Sequence, residues 1–134
     1  MSTVRAVFRL LLVLWAGSVW SLAVWVAPTL FFAQSDRHLA GMLAARLFAV
    51  ETYLGVGTAV LAALLPGRGK FKWGYAAAAL LAVNQWVLAP LMAEARVRGA
   101  AATLSFGAWH AVSAAVYVLA CAALVVLICT ERFD

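Results

Sequence analysis

Four stretches of the chain carry apolar residues almost without interruption, at positions 10–33, 47–65, 73–93 and 104–130. Each stretch exceeds the ~18 residues at which an apolar run becomes a candidate membrane-spanning helix. The one charged side chain inside them is Glu51. Because the hydrocarbon interior offers no water to backbone groups, we expect helices and not open strands. The pattern predicts an all-α membrane protein, an antiparallel bundle of four transmembrane helices in a single domain over residues 1–134.

The composition agrees with a membrane location and excludes a soluble domain. The chain is 67% hydrophobic and 11% charged, whereas soluble domains are about 45–50% apolar and about 25% charged. Two cysteines, Cys121 and Cys129, both lie in the fourth stretch and are too few for a disulfide-stabilised scaffold. We expect both to be inert packing residues.

Basic residues in the short connections predict the orientation of the bundle. Six of them fall on the side of the termini and the second connection: Arg5, Arg9, Arg68, Lys70, Lys72 and Arg132. The opposite side has four: Arg37, Arg46, Arg96 and Arg98. By the positive-inside rule both termini are cytoplasmic, in an inner (plasma) membrane of bacterial type. We attribute the net charge of +5 to these connections and their attraction to anionic lipid headgroups, and we expect no nucleic-acid partner.

A short motif occurs twice, which indicates two tandem helical hairpins related by an axis along the membrane normal. The first copy reads Trp25-Val26-Ala27-Pro28 and the second reads Trp86-Val87-Leu88-Ala89-Pro90. Each copy precedes a charged connection and a helix that opens with phenylalanine and soon carries a titratable residue, Glu51 in one and His110 in the other. The alternative is coincidence in an alanine-rich chain.

The two prolines have a physical consequence under either interpretation. Proline has no N–H to donate to the carbonyl four residues earlier, so Pro28 would free the carbonyl of Val24 and Pro90 that of Trp86. In a bilayer a freed carbonyl needs another partner, such as water, a side chain or an ion. The alternative is a simple kink that serves helix packing.

The polar residues inside the apolar stretches form the candidate site. Counted along the helices, Glu51, His110, Asn84 and Gln85 fall at a similar depth, in the outer third of the bilayer. An acidic residue is costly in a membrane, so Glu51 should face the bundle interior and find a partner there. We hypothesise a contact between Glu51 and His110, with Gln85 or Asn84 as a third member.

Three interpretations of this cluster stay open. A buried Glu–His pair can serve only to fix the register of neighbouring helices, it can bind a cation or small ligand, or its histidine can ligate haem. Glu51 and His110 are too few ligands for a metal, and His38 in the first connection would have to complete the set. No catalytic or cofactor motif occurs, so we expect no enzyme, and no cofactor is indicated.

Several short motifs resemble one membrane family. They are Ala27-Pro28-x-Leu30-Phe31 in the first stretch, Leu47-Phe48 with Glu51 in the second, and Phe106-x-x-x-His110-x-x-Ser113 in the fourth. The chain is similar over nearly its whole length to an uncharacterised bacterial family that resembles the eukaryotic transmembrane protein 205. More distantly, the hairpin pattern resembles half of the copper-resistance D membrane proteins. The first resemblance implies a four-helix fold, and the second implies a link to metal handling.

The leading hypothesis is a small non-enzymatic protein that binds or translocates a cation or small ligand at this polar site. In it Glu51 carries the charge, His110 is its partner or a second ligand, and Gln85 and Asn84 orient them. The alternatives are an accessory or scaffold subunit of a larger membrane complex and a haem-binding electron carrier. Besides membrane lipid, the expected partners are a second copy of the chain, packed through Gly and Ala faces, or a larger complex.

Overall fold

Long helices account for nearly all of the described chain. The computed structural model describes residues 3–66 and 71–130. Within those residues four helical spans are long and apolar enough to cross a membrane, Thr3–Ala33, Arg37–Leu64, Lys72–Arg98 and Phe106–Thr130, and no strand occurs. The predicted fold class, an all-α membrane protein with a four-helix bundle, is confirmed.

Two of the four spans are each divided into two α-helices. The first span consists of α1 (Thr3–Ser21) and α2 (Ala27–Ala33), and the second is α3 (Arg37–Leu64). The third consists of α4 (Lys72–Val83) and α5 (Ala89–Arg98), and the fourth is α6 (Phe106–Thr130). The connections at 34–36 and 99–105 lie at one end of the bundle, which we call the distal end. The connection between α3 and α4 lies at the other, proximal end, and part of it (67–70) falls outside the described residues.

Three of the four helical spans extend past the apolar stretches that predicted them, whereas Phe106–Thr130 lies within the stretch 104–130. α3 begins at Arg37, ten residues before the predicted start at position 47, and the third span continues to Arg98 instead of ending at 93. Asp36 caps α3, because its carboxylate accepts hydrogen bonds from the backbone N–H groups of His38 and Leu39 at 2.9 and 3.1 Å. Hydropathy predicts where a helix enters the hydrocarbon layer, whereas a cap determines where the helix begins, so a helix can start well before its apolar stretch.

Each Ala-Pro motif follows a π-helical turn. The turns are Leu22–Val26, ahead of Pro28, and Asn84–Leu88, ahead of Pro90. The alanine before each proline donates its N–H to the first residue of the turn, five positions back instead of four. The helices therefore accommodate the prolines by a change of register, and both turns begin six residues before the proline. Turns of this kind are rare and frequently occur at functional sites.

Among the hydrogen bonds that join the two hairpins, two form a reciprocal arrangement. Hairpin 1 comprises α1 to α3 and hairpin 2 comprises α4 to α6. The Tyr117 hydroxyl of hairpin 2 donates to the carbonyl of Val19 in hairpin 1 at 2.8 Å, and the Thr52 hydroxyl of hairpin 1 donates to the carbonyl of Leu81 in hairpin 2 at 3.3 Å. Both carbonyls belong to the third residue before a π turn. The repeated turn, proline and cross-hairpin bond support the interpretation of the motif as two tandem hairpins.

The helices meet in a core of branched apolar residues and alanines. The most completely buried large side chains are Leu12, Val19, Leu81, Leu124 and Leu127. The outward faces are apolar as well, with Phe32 96% exposed and Val97 88% exposed. A surface of this kind is stable against lipid and not against water. The described spans therefore form an integral membrane bundle whose polar groups lie mostly inside or at the connections.

Candidate functional site

Glu51 lies inside the bundle and pairs with a serine of the first helix. Its side chain is 8% exposed, and it shares one face of α3 with the buried residues Gly55, Thr58 and Ala62. The hydroxyl of Ser18 on α1 donates to Glu51 Oε2 at 2.8 Å. Because residues three and four positions apart stack along a helix, this small-residue stripe brings α1 close to the carboxylate. The inward orientation predicted for Glu51 is the one the structure has.

Ser18 is the single hydrogen-bond donor that the described residues supply to Glu51. The same hydroxyl lies 2.9 Å from the carbonyl of Trp15, so its one proton is shared between two acceptors. The ion pair among the described residues is Glu94–Arg98, which is exposed and lies near the distal end. Glu51 is therefore a buried carboxylate that has a hydroxyl partner and no cationic partner within the described part of the chain.

The predicted contact between Glu51 and His110 is wrong. His110 is exposed, and its ring stacks on the ring of Phe106 with centroids 5.9 Å apart. The guanidinium of Arg96 lies 4.4 Å from the centroid of the Phe106 ring. Both α3 and α6 begin at the distal end, at Arg37 and Phe106. At ~1.5 Å per residue, Glu51 is about 21 Å from the start of its helix and His110 is about 6 Å from the start of its own. The two groups therefore lie at different levels of the bundle.

The predicted third members also lie elsewhere. Asn84 pairs with Ser113 on α6, accepting from its hydroxyl at 2.5 Å and donating to its carbonyl at 3.3 Å. The side chain of Gln85 is half-buried and makes no hydrogen bond with the described residues. The structure therefore uses Asn84 to join α4 and α6 within hairpin 2 and does not bring either amide to the carboxylate of Glu51.

The candidate metal ligands are not brought together. His38 is exposed in the first turn of α3, and His110 is exposed in the first turns of α6. Within residues 3–66 and 71–130, no group of three or more His, Cys, Asp or Glu side chains is placed to hold a metal ion. The two cysteines are unpaired thiols; Cys121 is buried in the core and Cys129 is exposed.

Trp15, like Ser18, belongs to this site and was not identified by the sequence analysis. Its side chain is 2% exposed, yet its indole N–H has no hydrogen-bond partner among the described residues. The ring packs over Gly55, so closely that a methyl group there would lie 2.8 Å from Cζ2 and 3.1 Å from Nε1. The site thus pairs Trp15 and Ser18 on α1 with Gly55 and Glu51 on α3: Gly55 makes room for Trp15, and Ser18 bonds to Glu51.

Comparison with known proteins gives a family and no activity. Residues 10–101 match the model of a family described as Domain of unknown function (DUF4149). No curated protein and no solved structure matches the chain. The match covers about two thirds of the sequence and includes Trp15, Ser18 and Glu51, whereas His110 lies beyond it. The chain therefore belongs to the DUF4149 family.

Proposed function

We propose that this DUF4149 protein binds a small cation at Glu51 and passes it along the bundle. The observation that carries the proposal is a buried carboxylate that has no cationic side chain beside it among residues 3–66 and 71–130. A buried carboxylate is strongly unfavourable unless it is paired, coordinated or protonated. Within the described residues Glu51 has only a hydroxyl as a partner. A cation or a proton taken from solution would balance its charge.

Holding the helices together does not by itself explain this carboxylate. Four other contacts between spans use neutral groups: Asn84 with Ser113, Thr52 with the Leu81 carbonyl, Tyr117 with the Val19 carbonyl, and the Trp20 indole N–H with the Cys121 carbonyl. A glutamine at position 51 would accept the same hydrogen bond from Ser18. An acidic residue near a helix centre costs about 2.5–3.5 kcal/mol on insertion scales. The extra cost of a charge supports a role in binding.

The available ligand atoms favour an alkali cation or a proton over a transition metal. Glu51 and Ser18 supply hard oxygen atoms, which suit alkali and alkaline-earth ions, whereas copper and zinc prefer thiolate and imidazole. The resemblance of the sequence motifs to the family of transmembrane protein 205 implies a four-helix fold, and this is compatible with a small cation-binding protein. The more distant similarity to copper-resistance D proteins would extend the proposal to copper, but no group of three or more His, Cys, Asp or Glu side chains among the described residues is placed to hold a metal ion.

The proposed setting is an inner membrane of bacterial type with both termini in the cytoplasm. The excess of Lys and Arg on the side of the termini supports this orientation. The distal end then faces outward. Because α3 starts at Arg37 and spans 28 residues, Glu51 lies near the middle of that helix. We therefore place the binding site deeper than the outer third of the bilayer.

Flux measurements with two glutamate variants test the proposal. Wild type, Glu51→Gln and Glu94→Gln are purified, checked for helicity and monodispersity, and reconstituted into liposomes that contain a sodium- or pH-sensitive dye. Glu94 is the matched control because it is an exposed acid at the distal end. We expect flux above protein-free liposomes for wild type and Glu94→Gln, and at least a tenfold lower excess for Glu51→Gln. Equal flux in wild type and Glu51→Gln would overturn the proposal and favour the role of an accessory subunit.

A further inference from the structure

The indole N–H of Trp15 is an unpaired donor in the interior of the bundle. Among the buried side-chain nitrogen and oxygen atoms of the described residues, Trp15 Nε1 is the one without a hydrogen-bond partner. Leaving a buried donor unpaired costs about 1–3 kcal/mol. Such a group calls for a specific explanation, because the great majority of buried polar atoms in folded proteins are paired.

The unpaired donor lies at the same helix interface as the Glu51 carboxylate. Trp15 and Ser18 are three residues apart on α1, and Gly55 and Glu51 are four residues apart on α3. Ser18 bonds to Glu51, and the ring of Trp15 packs on Gly55. The indole therefore lies about one helical turn, ~5.4 Å along the axis, from the level of the carboxylate. The carboxylate and the unpaired donor therefore belong to one helix contact, about one turn apart.

We infer that Trp15 Nε1–H and the Glu51 carboxylate form two parts of one site, and that the site takes an alkali cation with a water molecule still attached. This inference rests on the proposed function of Glu51. An indole N–H is a donor only, so it cannot coordinate a cation and must bond to an oxygen atom. The water of a partly hydrated ion offers that oxygen to Trp15 and directs its own hydrogens toward Glu51. A proton carried by Glu51 alone would leave the indole without a partner.

Gly55 is the residue that makes this arrangement sterically feasible. A Cβ at position 55 would lie 2.8 Å from the Trp15 ring, below any normal carbon–carbon contact, so the ring must move in any variant with a side chain. Gly57 is two residues further along α3, and a Cβ there meets nothing within 4 Å. Gly55→Ala and Gly57→Ala therefore form a matched comparison on α3, because only the first places a methyl group against the Trp15 ring.

Binding of sodium to detergent-solubilised protein tests the inference directly. We measure the apparent Kd for sodium, with choline chloride as the inert salt, from the thermal stabilisation of wild type, Trp15→Phe and Glu51→Gln. Trp15→Phe keeps an aromatic ring and removes the N–H, and Trp25→Phe is the control because Trp25 is 71% exposed. We expect an apparent Kd raised about tenfold in Trp15→Phe, corresponding to ~1.4 kcal/mol. We expect no change in Trp25→Phe and no detectable stabilisation in Glu51→Gln.

The outcomes separate this inference from the proposed function. If Trp15→Phe binds sodium as wild type does while Glu51→Gln does not, the inference about Trp15 is overturned and the cation site at Glu51 stands. If Glu51→Gln binds sodium like wild type, the proposed function fails and the inference fails with it. Gly55→Ala provides a second route should Trp15→Phe not fold. It should weaken sodium binding at least threefold with Gly57→Ala unchanged, and equal binding in the two alanine variants would contradict the inference.

Discussion

The hydroxyl of Tyr117 offers the cleanest test of how the two hairpins are held together. Tyr117 is 6% exposed, its hydroxyl donates to the Val19 carbonyl at 2.8 Å, and its ring meets Phe48 edge-on with centroids 4.9 Å apart. The substitution Tyr117→Phe removes one oxygen atom and keeps the ring contact. Side-chain hydrogen bonds between membrane helices average about 0.6 kcal/mol and reach about 1.7 kcal/mol. Because the Tyr117–Val19 bond is short and buried, we expect it to be stronger than this average, and Tyr117→Phe should lower the free energy of unfolding by about 1 kcal/mol.

Reversible unfolding in mixed micelles, followed by circular dichroism as the denaturing detergent is increased, measures this loss. Tyr53→Phe is the control, because Tyr53 is 63% exposed and its hydroxyl makes no hydrogen bond with the described residues. Thr52→Val should cost less than Tyr117→Phe, since the single Thr52 proton is shared between the carbonyls of Phe48 and Leu81 at 3.1 and 3.3 Å. A Tyr117→Phe variant as stable as Tyr53→Phe, or a Thr52→Val variant less stable than both, would refute the reasoning.

Two further predictions concern packing and the second hairpin, and both use the same unfolding assay. Gly74→Ala should lower the free energy of unfolding by about 2 kcal/mol, because the new methyl group would overlap the ring of Phe71, whereas Gly57→Ala has open space around it and should be neutral or slightly stabilising. Equal effects of the two substitutions would contradict this prediction. Asn84→Ala and Ser113→Ala should each destabilise the protein, and the double-mutant cycle should give a coupling energy of about 1 kcal/mol, whereas additive effects would mean that the pair is unimportant.

The sequence was sufficient to predict the fold because lipid imposes the strongest constraint on the chain. A run of ~20 apolar residues has no other stable conformation in a bilayer than a helix, and all four predicted spans are helical. The helix ends were harder to predict because they depend on local chemistry. The Asp36 cap begins α3 at Arg37, and Gly99 ends α5 with a positive φ of 56°, a conformation that favours glycine.

The inward orientation of Glu51 was predictable from the sequence, whereas its depth along the helix and its hydrogen-bond partner were not. The spacing of Glu51, Gly55 and Thr58 indicates a single buried face, and that face is buried. The partner depended on the depths of Glu51 and His110 in their helices. Those depths were counted from the hydropathy boundaries, but α3 begins ten residues before its apolar stretch, so Glu51 lies further from the distal end than the count indicated. Trp15 and Ser18 were not identified because neither residue is unusual in a membrane helix, and only the packing of α1 on α3 gives them meaning.

The two hairpins, aligned by their prolines, show which feature of the site is exceptional. Glu51 lies 23 residues after Pro28, and Ser113 lies 23 residues after Pro90. Each forms a side-chain hydrogen bond to the first span of its own hairpin, Glu51 with Ser18 and Ser113 with Asn84. Hairpin 2 is thus joined at this position by a neutral pair, which shows that the fold does not require a charge there. The carboxylate in hairpin 1 therefore stands where hairpin 2 has a neutral hydroxyl. On the same helix interface lies a tryptophan N–H that has no hydrogen-bond partner among the described residues. Both departures from the neutral pattern lie at the α1–α3 contact, which is why we assign the proposed ligand to this contact.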